Sequence, residues 1–386
     1  MRMIRVLAAA VLLLAAVSGA AAQETMRLYV EKGAADGAQV QQLLFALGQN
    51  MEDTEWVLEN SGRTLRELVL AGDAPDLAVC RTKTARPWAQ EGLLLPLHAH
   101  IPDQRRIQRQ VLDLCIYGEE LLMAPLIASH RRMAVNRTAF EQAGLGDMLD
   151  RHVYPVWYPA QFYRILEEFM LRGRIAVDIW HAKADNSAAI EALTQAFCGV
   201  ALLGEDGETC HAGDEAMIAG VQWICDAAQE GMIGWQKTRE DALSRFLRGE
   251  TAIFIDWTQE LEKQLESAVR ERGMDIVTMP YPSVAGENVR SFELTAACAF
   301  ACGDAARDAR LVHACALLHA AAQEALGARG IWQDGALWPA SLDGGDKGAT
   351  LRSLLCGALN EAMEEGNAGD ALLRVQAVMD TLGRTR

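Results

Sequence analysis

An aspartate followed by a tryptophan, Asp256-Trp257, closes the apolar run Thr251–Ile255 in the segment FLRGETAIFIDW. A carboxylate accepts hydrogen bonds from hydroxyls, and an indole offers a flat face to C–H groups. The pair therefore suits a polyhydroxylated ring. The flanking residues say where it sits. Ala242, Phe246 and Leu247 line one face of a short helix with Asp241 as its N-cap, and Gly249 can end that helix in the left-handed conformation. Thr251–Ile255 then reads as a buried strand. In open α/β sheets ligands bind just beyond the carboxyl ends of strands, which is where this reading places Asp256 and Trp257. The competing reading is a buried strand that ends in a core tryptophan.

Two more tryptophans hold comparable positions. Trp180 and His181 end the predicted strand Ile175–Ile179. Trp157 and Tyr158 precede a helix that Pro159 opens and whose stripe is Phe162, Ile165, Leu166 and Phe169; a hydrophobic staple is the alternative role for Trp157. Trp88 fits a packed helix, and Trp223 sits on a helical stripe. The elements that carry these residues alternate. Strands at Met26–Val30, Glu55–Leu58 and Asp76–Cys80 are separated by helices around Ala38–Leu47 and Thr64–Ala71. Further along, Thr138 and Glu141 form a capping box, and Asp214 caps a helix bearing Met217, Val221 and Ile224. Such alternation predicts an α/β fold with mostly parallel sheets covered by helices on both faces.

The N-terminus reads as an export leader. Arg2 and Arg5 precede the apolar stretch Val6–Val17, and Ala20-Ala21-Ala22 supplies a small-residue cleavage pattern, so residues 1–22 are expected to be removed. No cysteine follows the apolar stretch, so a periplasmic or secreted protein is expected and not a lipid-anchored one. The remaining chain is long for one domain and natural for two. A formal net charge of −16 argues against nucleic acid and anionic lipid as partners. Nine cysteines, an odd number, leave a free thiol in any monomer; Cys198 with Cys210, or Cys298 with Cys302, are near enough in sequence to close small loops. Cys210, His211 and Cys225 match no zinc-site spacing. The chain carries no G-x-S-x-G, HExxH, P-loop or dinucleotide-binding glycine pattern, and its carboxylates form no acid–nucleophile motif of a glycosidase. No enzyme, metal or cofactor is expected.

Five segments, taken in order, resemble the sugar-binding, maltose-binding-protein-like solute-binding proteins of ABC importers. They are GDAPDLAVCRTKTARPWAQEGLLLPL at Gly72–Leu97, YGEELLMAPLIASHRRMAVNRTAFEQAGL at Tyr117–Leu145, Phe246–Trp257, MPYP at Met279–Pro282 and GALWPA at Gly335–Ala340. Val135 stands where the family usually has Tyr, and Ile253 where many members have Met. The resemblance implies a two-lobed, type II-like periplasmic-binding-protein fold, each lobe a mixed, mostly parallel sheet flanked by helices, joined by hinge crossings. Lobe one would comprise residues 23–132 and 290–327, and lobe two residues 133–289 and 328–386. By residue-wise match it places Glu31, Lys32, Arg81, Lys83 and Thr84 at the cleft, the last three on a loop over Cys80–Thr84. It adds Ser129 and Arg131 from the first crossing, and Trp338 from the 335–340 loop, which Trp332 also flanks. With Trp157, Trp180, Asp256 and Trp257 these make the expected ligand-binding set. The implied function is capture of a mono- or oligosaccharide by hinge closure and delivery to a membrane permease, by a monomer. Paired arginines at 131 and 132 leave acidic sugars or other anionic solutes open, and a tryptophan cage with acids suits a polyamine. A sensory subunit would share the fold.

Overall fold

The computed structural model describes residues 24–35, 37–101, 104, 107, 109–183, 186–203, 209–284, 290–325, 337–339 and 345–384. The expected leader, Trp332 and residues 335, 336 and 340 of the expected loop lie outside them. Twelve strands occur among the described residues: β1 Glu24–Val30, β2 Thr54–Leu58, β3 Leu77–Arg81, β4 Ile116–Tyr117, β5 Glu120–Leu121, β6 Ala124–Asn136, β7 Val177–Trp180, β8 Ile233–Gln236, β9 Ile253–Thr258, β10 Ile276–Met279, β11 Arg290–Ala299 and β12 Leu337–Pro339. Ten of them form one continuous sheet in the order β2-β1-β3-β11-β6-β9-β7-β8, with β10 on β6 and β12 on β11. At one end β2, β1 and β3 run parallel, and at the other β9, β7 and β8 do. Between them β11 and β6 are antiparallel to each other and to β3 and β9, while β12 runs parallel to β11.

The protein is two-lobed because this sheet carries two separate hydrophobic cores. One gathers Met26, Leu28, Leu77, Val79, Leu126 and Leu318; the other gathers Met133, Val135, Phe140, Ile179, Phe254 and Leu372. The 13-residue β6 takes part in both. Ala124, Leu126 and Ala128 belong to the first core, Met133, Ala134 and Val135 to the second. The polar stretch Ser129-His130-Arg131-Arg132 between them is the crossing. Helices Gly345–Glu365 and Ala368–Arg384 return to the second core.

Several local expectations shift. The helix Arg239–Leu247 is capped by Thr238, whose hydroxyl accepts from the Asp241 N–H at 3.1 Å, so Asp241 is its third residue and not its cap. Asn136, accepting from Ala139 N at 3.2 Å, caps Arg137–Gln142 in place of the Thr138–Glu141 box. An N-cap stands one step outside the first helical residue, and in both cases a better-placed acceptor lay further upstream. None of the nine cysteines forms a disulfide and only Cys302 is exposed; neither expected small-loop pairing forms. Among the described residues no helix is long and apolar enough to cross a membrane.

Candidate functional site

Side chains alternate faces along a strand, so cross-strand register decides which residues share a face. Arg81 on β3 lies opposite Thr295 on β11, Glu293 on β11 opposite Ser129 on β6, and Arg131 on β6 opposite Thr258 on β9. With Asp256 two residues before Thr258, these form one polar row that runs from lobe one, over both crossing strands, into lobe two.

The row is joined by ion pairs. Glu31 accepts from Arg81 Nη1 at 3.2 Å, from the Arg81 backbone N–H at 2.8 Å and from the Thr84 hydroxyl at 3.1 Å. Arg81 Nη2 donates to the Lys32 carbonyl at 3.1 Å. Gly33 permits this approach: its φ is +80° and a Cβ there would sit 3.1 Å from Arg81 Nη2. Lys83 Nζ meets Glu293 Oε1 at 3.1 Å, and Arg131 Nη2 meets Glu293 Oε2 at 3.1 Å. Arg131 Nη1 pairs with one oxygen of Asp256 and Arg239 Nε with the other. The Arg239 guanidinium lies over the Phe254 ring, 5.6 Å from its centroid. Tyr281 donates its hydroxyl to the Ile255 carbonyl at 2.7 Å beneath the Asp256–Arg131 pair.

Burial alone would push the Glu293 carboxyl up, but the charges of Arg131, Lys83 and Arg81 outweigh it and hold the group down at about 2. For Arg131, burial opposes the charged form, and Asp256 and Glu293 more than restore it. Burial also raises the Tyr281 phenol, with the Asp256 charge adding to the effect. Glu293 and Arg131 are therefore both charged through the neutral range. The row offers both acceptors and donors in a partly dry setting, which is the equipment for orienting hydroxyl groups.

The structure brings Glu31, Lys32, Arg81, Lys83, Thr84, Ser129, Arg131 and Asp256 together along this row. Lys83 and Thr84 lie in the first turn of a helix, Thr82–Gln90, and not on a loop. Asp256 and Trp257 lie inside β9, which runs on to Thr258, and so point to opposite faces. Three of the four expected tryptophans, Trp157, Trp180 and Trp257, lie in the lobe-two core. Trp157 is fully buried, stacked between Phe140 and Phe162 at 5.8 and 6.3 Å, and its Nε1 donates to the Met148 carbonyl. Trp180 is fully buried against Phe254 at 5.9 Å, and Trp257 packs edge-on to Phe246 at 6.2 Å. These rings fill the lobe-two core and offer no free face to a ligand. Trp88 is buried in lobe one. Trp338 lies in β12 at the register of Ser291.

Sequence reasoning missed Glu293 and Arg239. Glu293 had a signal: it is the single acid in the apolar strand SFELTAACA, and a charge at a strand position flanked by Phe292 and Leu294 requires a partner. Arg239 had none, because its partner lies 17 residues on.

No protein-family model matches the chain, and no curated protein matches it in sequence. Solved structures do match in shape. The cyclic alpha-maltosyl-1,6-maltose binding protein from Arthrobacter globiformis is 15% identical, with a TM-score of 0.72 over 94% of this chain and 99% of that one. The GacH receptor of Streptomyces glaucescens, solved unliganded and with acarbose, is 13% identical, with a TM-score of 0.70 over 94% and 99%. UgpB from Mycobacterium tuberculosis, solved with glycerophosphocholine, is 14% identical, with a TM-score of 0.69 over 94% and 99%. The chain therefore has the fold of the two-lobed, maltose-binding-protein-like solute-binding proteins of ABC transporters.

Proposed function

We propose that the protein is an extracytoplasmic solute-binding subunit of an ABC importer and captures a mono- or oligosaccharide between its lobes for delivery to a membrane permease. The observation that carries this reading is the ion-paired row from Glu31 to Asp256, which draws on both lobes and on both crossing strands. A solute drives closure only through interactions that favour the closed state over the open one, so its site has to span the lobes. The saccharide-binding neighbours of the same fold support the solute class. Export rests on the leader read from the sequence. The solute is bound and released unchanged.

Thermal-shift titration of the purified protein with saccharides, uronic acids and polyamines tests the reading. Native-state binding adds about 2.7 kcal/mol at a hundredfold excess over the dissociation constant. A saccharide is expected to raise the melting temperature and to compact the protein in small-angle scattering. Shifts with charged solutes alone would overturn the sugar assignment, and turnover of a glycoside would overturn the binding-only role.

A further inference from the structure

The parallel strands of the two lobes end facing one another. β6 runs from the first core to the second, and β9 is antiparallel to it, with Ile253 opposite Val135 and Thr258 opposite Arg131. The carboxyl ends of β9, β7 and β8 therefore point toward lobe one. β11 runs from Ser291, opposite Arg131, into the first core, and β3 is antiparallel to it, so β3 and β1 end toward lobe two. Three lysines follow these ends: Lys32 two residues past β1, Lys183 three past β7 and Lys237 one past β8. All three are exposed, and no acid among the described residues pairs with them. Lys32 adjoins the polar row through its carbonyl, which accepts from Arg81 Nη2 at 3.1 Å. Lys237 is two residues from Arg239, which pairs with Asp256, and the ends of β7 and β8 are joined by the bond from His181 N–H to the Gln236 carbonyl at 3.0 Å.

The charge balance at these ends runs against that of the chain, which has 52 acids to 36 lysines and arginines. The three residues after each of β1, β2, β3, β7, β8 and β9 hold five cations, Lys32, Lys83, Lys183, Lys237 and Arg239, against three acids, Glu31, Glu59 and Glu260. Two of those acids are already held, Glu31 by Arg81 and Glu59 by Arg27. We infer that the saccharide carries an anionic substituent, a carboxylate or a phosphate, and that Lys32 from lobe one and Lys237 from lobe two, with Lys183 beside it, are its charge contacts. This rests on the proposed function and narrows it. An ammonium on a four-carbon stem is a mobile point charge that can follow an anion as the seam narrows. An anion between the lobes is drawn to both sides, and the attraction grows as they approach, so the charge itself favours the closed form. The paired row is left to orient hydroxyls. A neutral saccharide gains nothing from the three lysines, and a polyamine is repelled by them.

Titration calorimetry on the wild type with matched sets tests this: glucose, glucuronate and glucose 6-phosphate, then galactose, galacturonate and galactose 6-phosphate. The neutral parent of at least one set is expected to bind, and an acidic member to bind about 10- to 100-fold more tightly. Comparison of the two acidic arms tells carboxylate from phosphate. The preference should shrink when salt rises from about 0.01 M to about 1 M, because exposed lysines are screened. Lys32→Gln and Lys237→Gln, both at exposed positions where the fold survives, should each cut the acidic-to-neutral affinity ratio about fivefold or more. A neutral parent bound as tightly as its acidic partners would overturn the inference and leave the proposed function intact. An acidic preference that both variants retain would overturn the assignment to these lysines. Binding of no member of either set would remove the proposed function and the inference with it.

Discussion

Glu293→Gln isolates the charge that joins a lobe-one cation, Lys83, to Arg131 on the crossing strand. The Glu293 side chain is 21% exposed and lies between Lys83 and Arg131, each at 3.1 Å. Its carboxyl is held at about 2 against an ordinary 4.5. A group depressed by that much contributes about 3 kcal/mol to folding at neutral pH. The sign follows from linkage. The folded value lies below the unfolded one, so the contribution is complete above 4.5 and is lost as pH falls toward 2. At pH ~3 roughly half of it remains. Glutamine keeps the shape and the carbonyl acceptor and removes the charge, which makes it a fair copy of the protonated acid. Urea unfolding of wild type and variant should therefore differ by about 3 kcal/mol at pH ~7, and the difference should shrink to about 1.5 kcal/mol near pH ~3. Other acids titrate in both proteins and cancel. A difference below about 1 kcal/mol that stays flat across that range would show that Glu293 is not electrostatically held by Arg131 and Lys83.

Asp256→Asn leaves Arg131 and Arg239 facing an amide in a buried site, and should cost about 3–5 kcal/mol in chemical denaturation; a loss under about 1 kcal/mol would mean that the two arginines find other partners. Trp257→Ala removes a core ring that packs against Phe246 and should destabilise by about 3–5 kcal/mol, while the affinity of the folded fraction for solute stays near wild type; a large affinity loss with an unchanged melt would return Trp257 to the site. Gly33→Ala forces a side chain into a left-handed backbone position beside Arg81 and should cost about 1–2 kcal/mol, read as a lower melting temperature; no shift would mean that the turn relaxes freely.

The alternation of strands and helices was legible because propensity and periodicity are local. Strand ends were less so. Asp256 and Trp180 looked like residues just past a strand, yet β9 and β7 take them in, because pairing with β6 and β8 extends the ladders beyond the apolar run. This is why the tryptophans were misjudged. An aromatic ring next to an acid is ambiguous in sequence, and only the strand's two faces separate them: Asp256 goes to the charged row, Trp257 to the core. The charged residues fared better, because a charge in an apolar strand must be paired wherever the strand runs. What sequence could not supply was the partner. Arg131 finds Asp256 and Glu293, 125 and 162 residues away, through a sheet order in which β11 and β6 are adjacent.

That sheet order also sets a condition on any solute. On the proposed reading the lobes turn about β6 and β11, the strands that carry Arg131 and Glu293. Asp256 then lies on the lobe-two side of that axis and Lys83 on the lobe-one side. Opening the lobes would therefore stretch the Asp256–Arg131 and Glu293–Lys83 pairs first. A solute entering the seam competes with these pairs for the same donors and acceptors, and only contacts beyond those it displaces favour closure. At the row Arg81, Lys83, Arg131 and Arg239 already have their acids, so a solute there gains only from contacts that these pairs leave over.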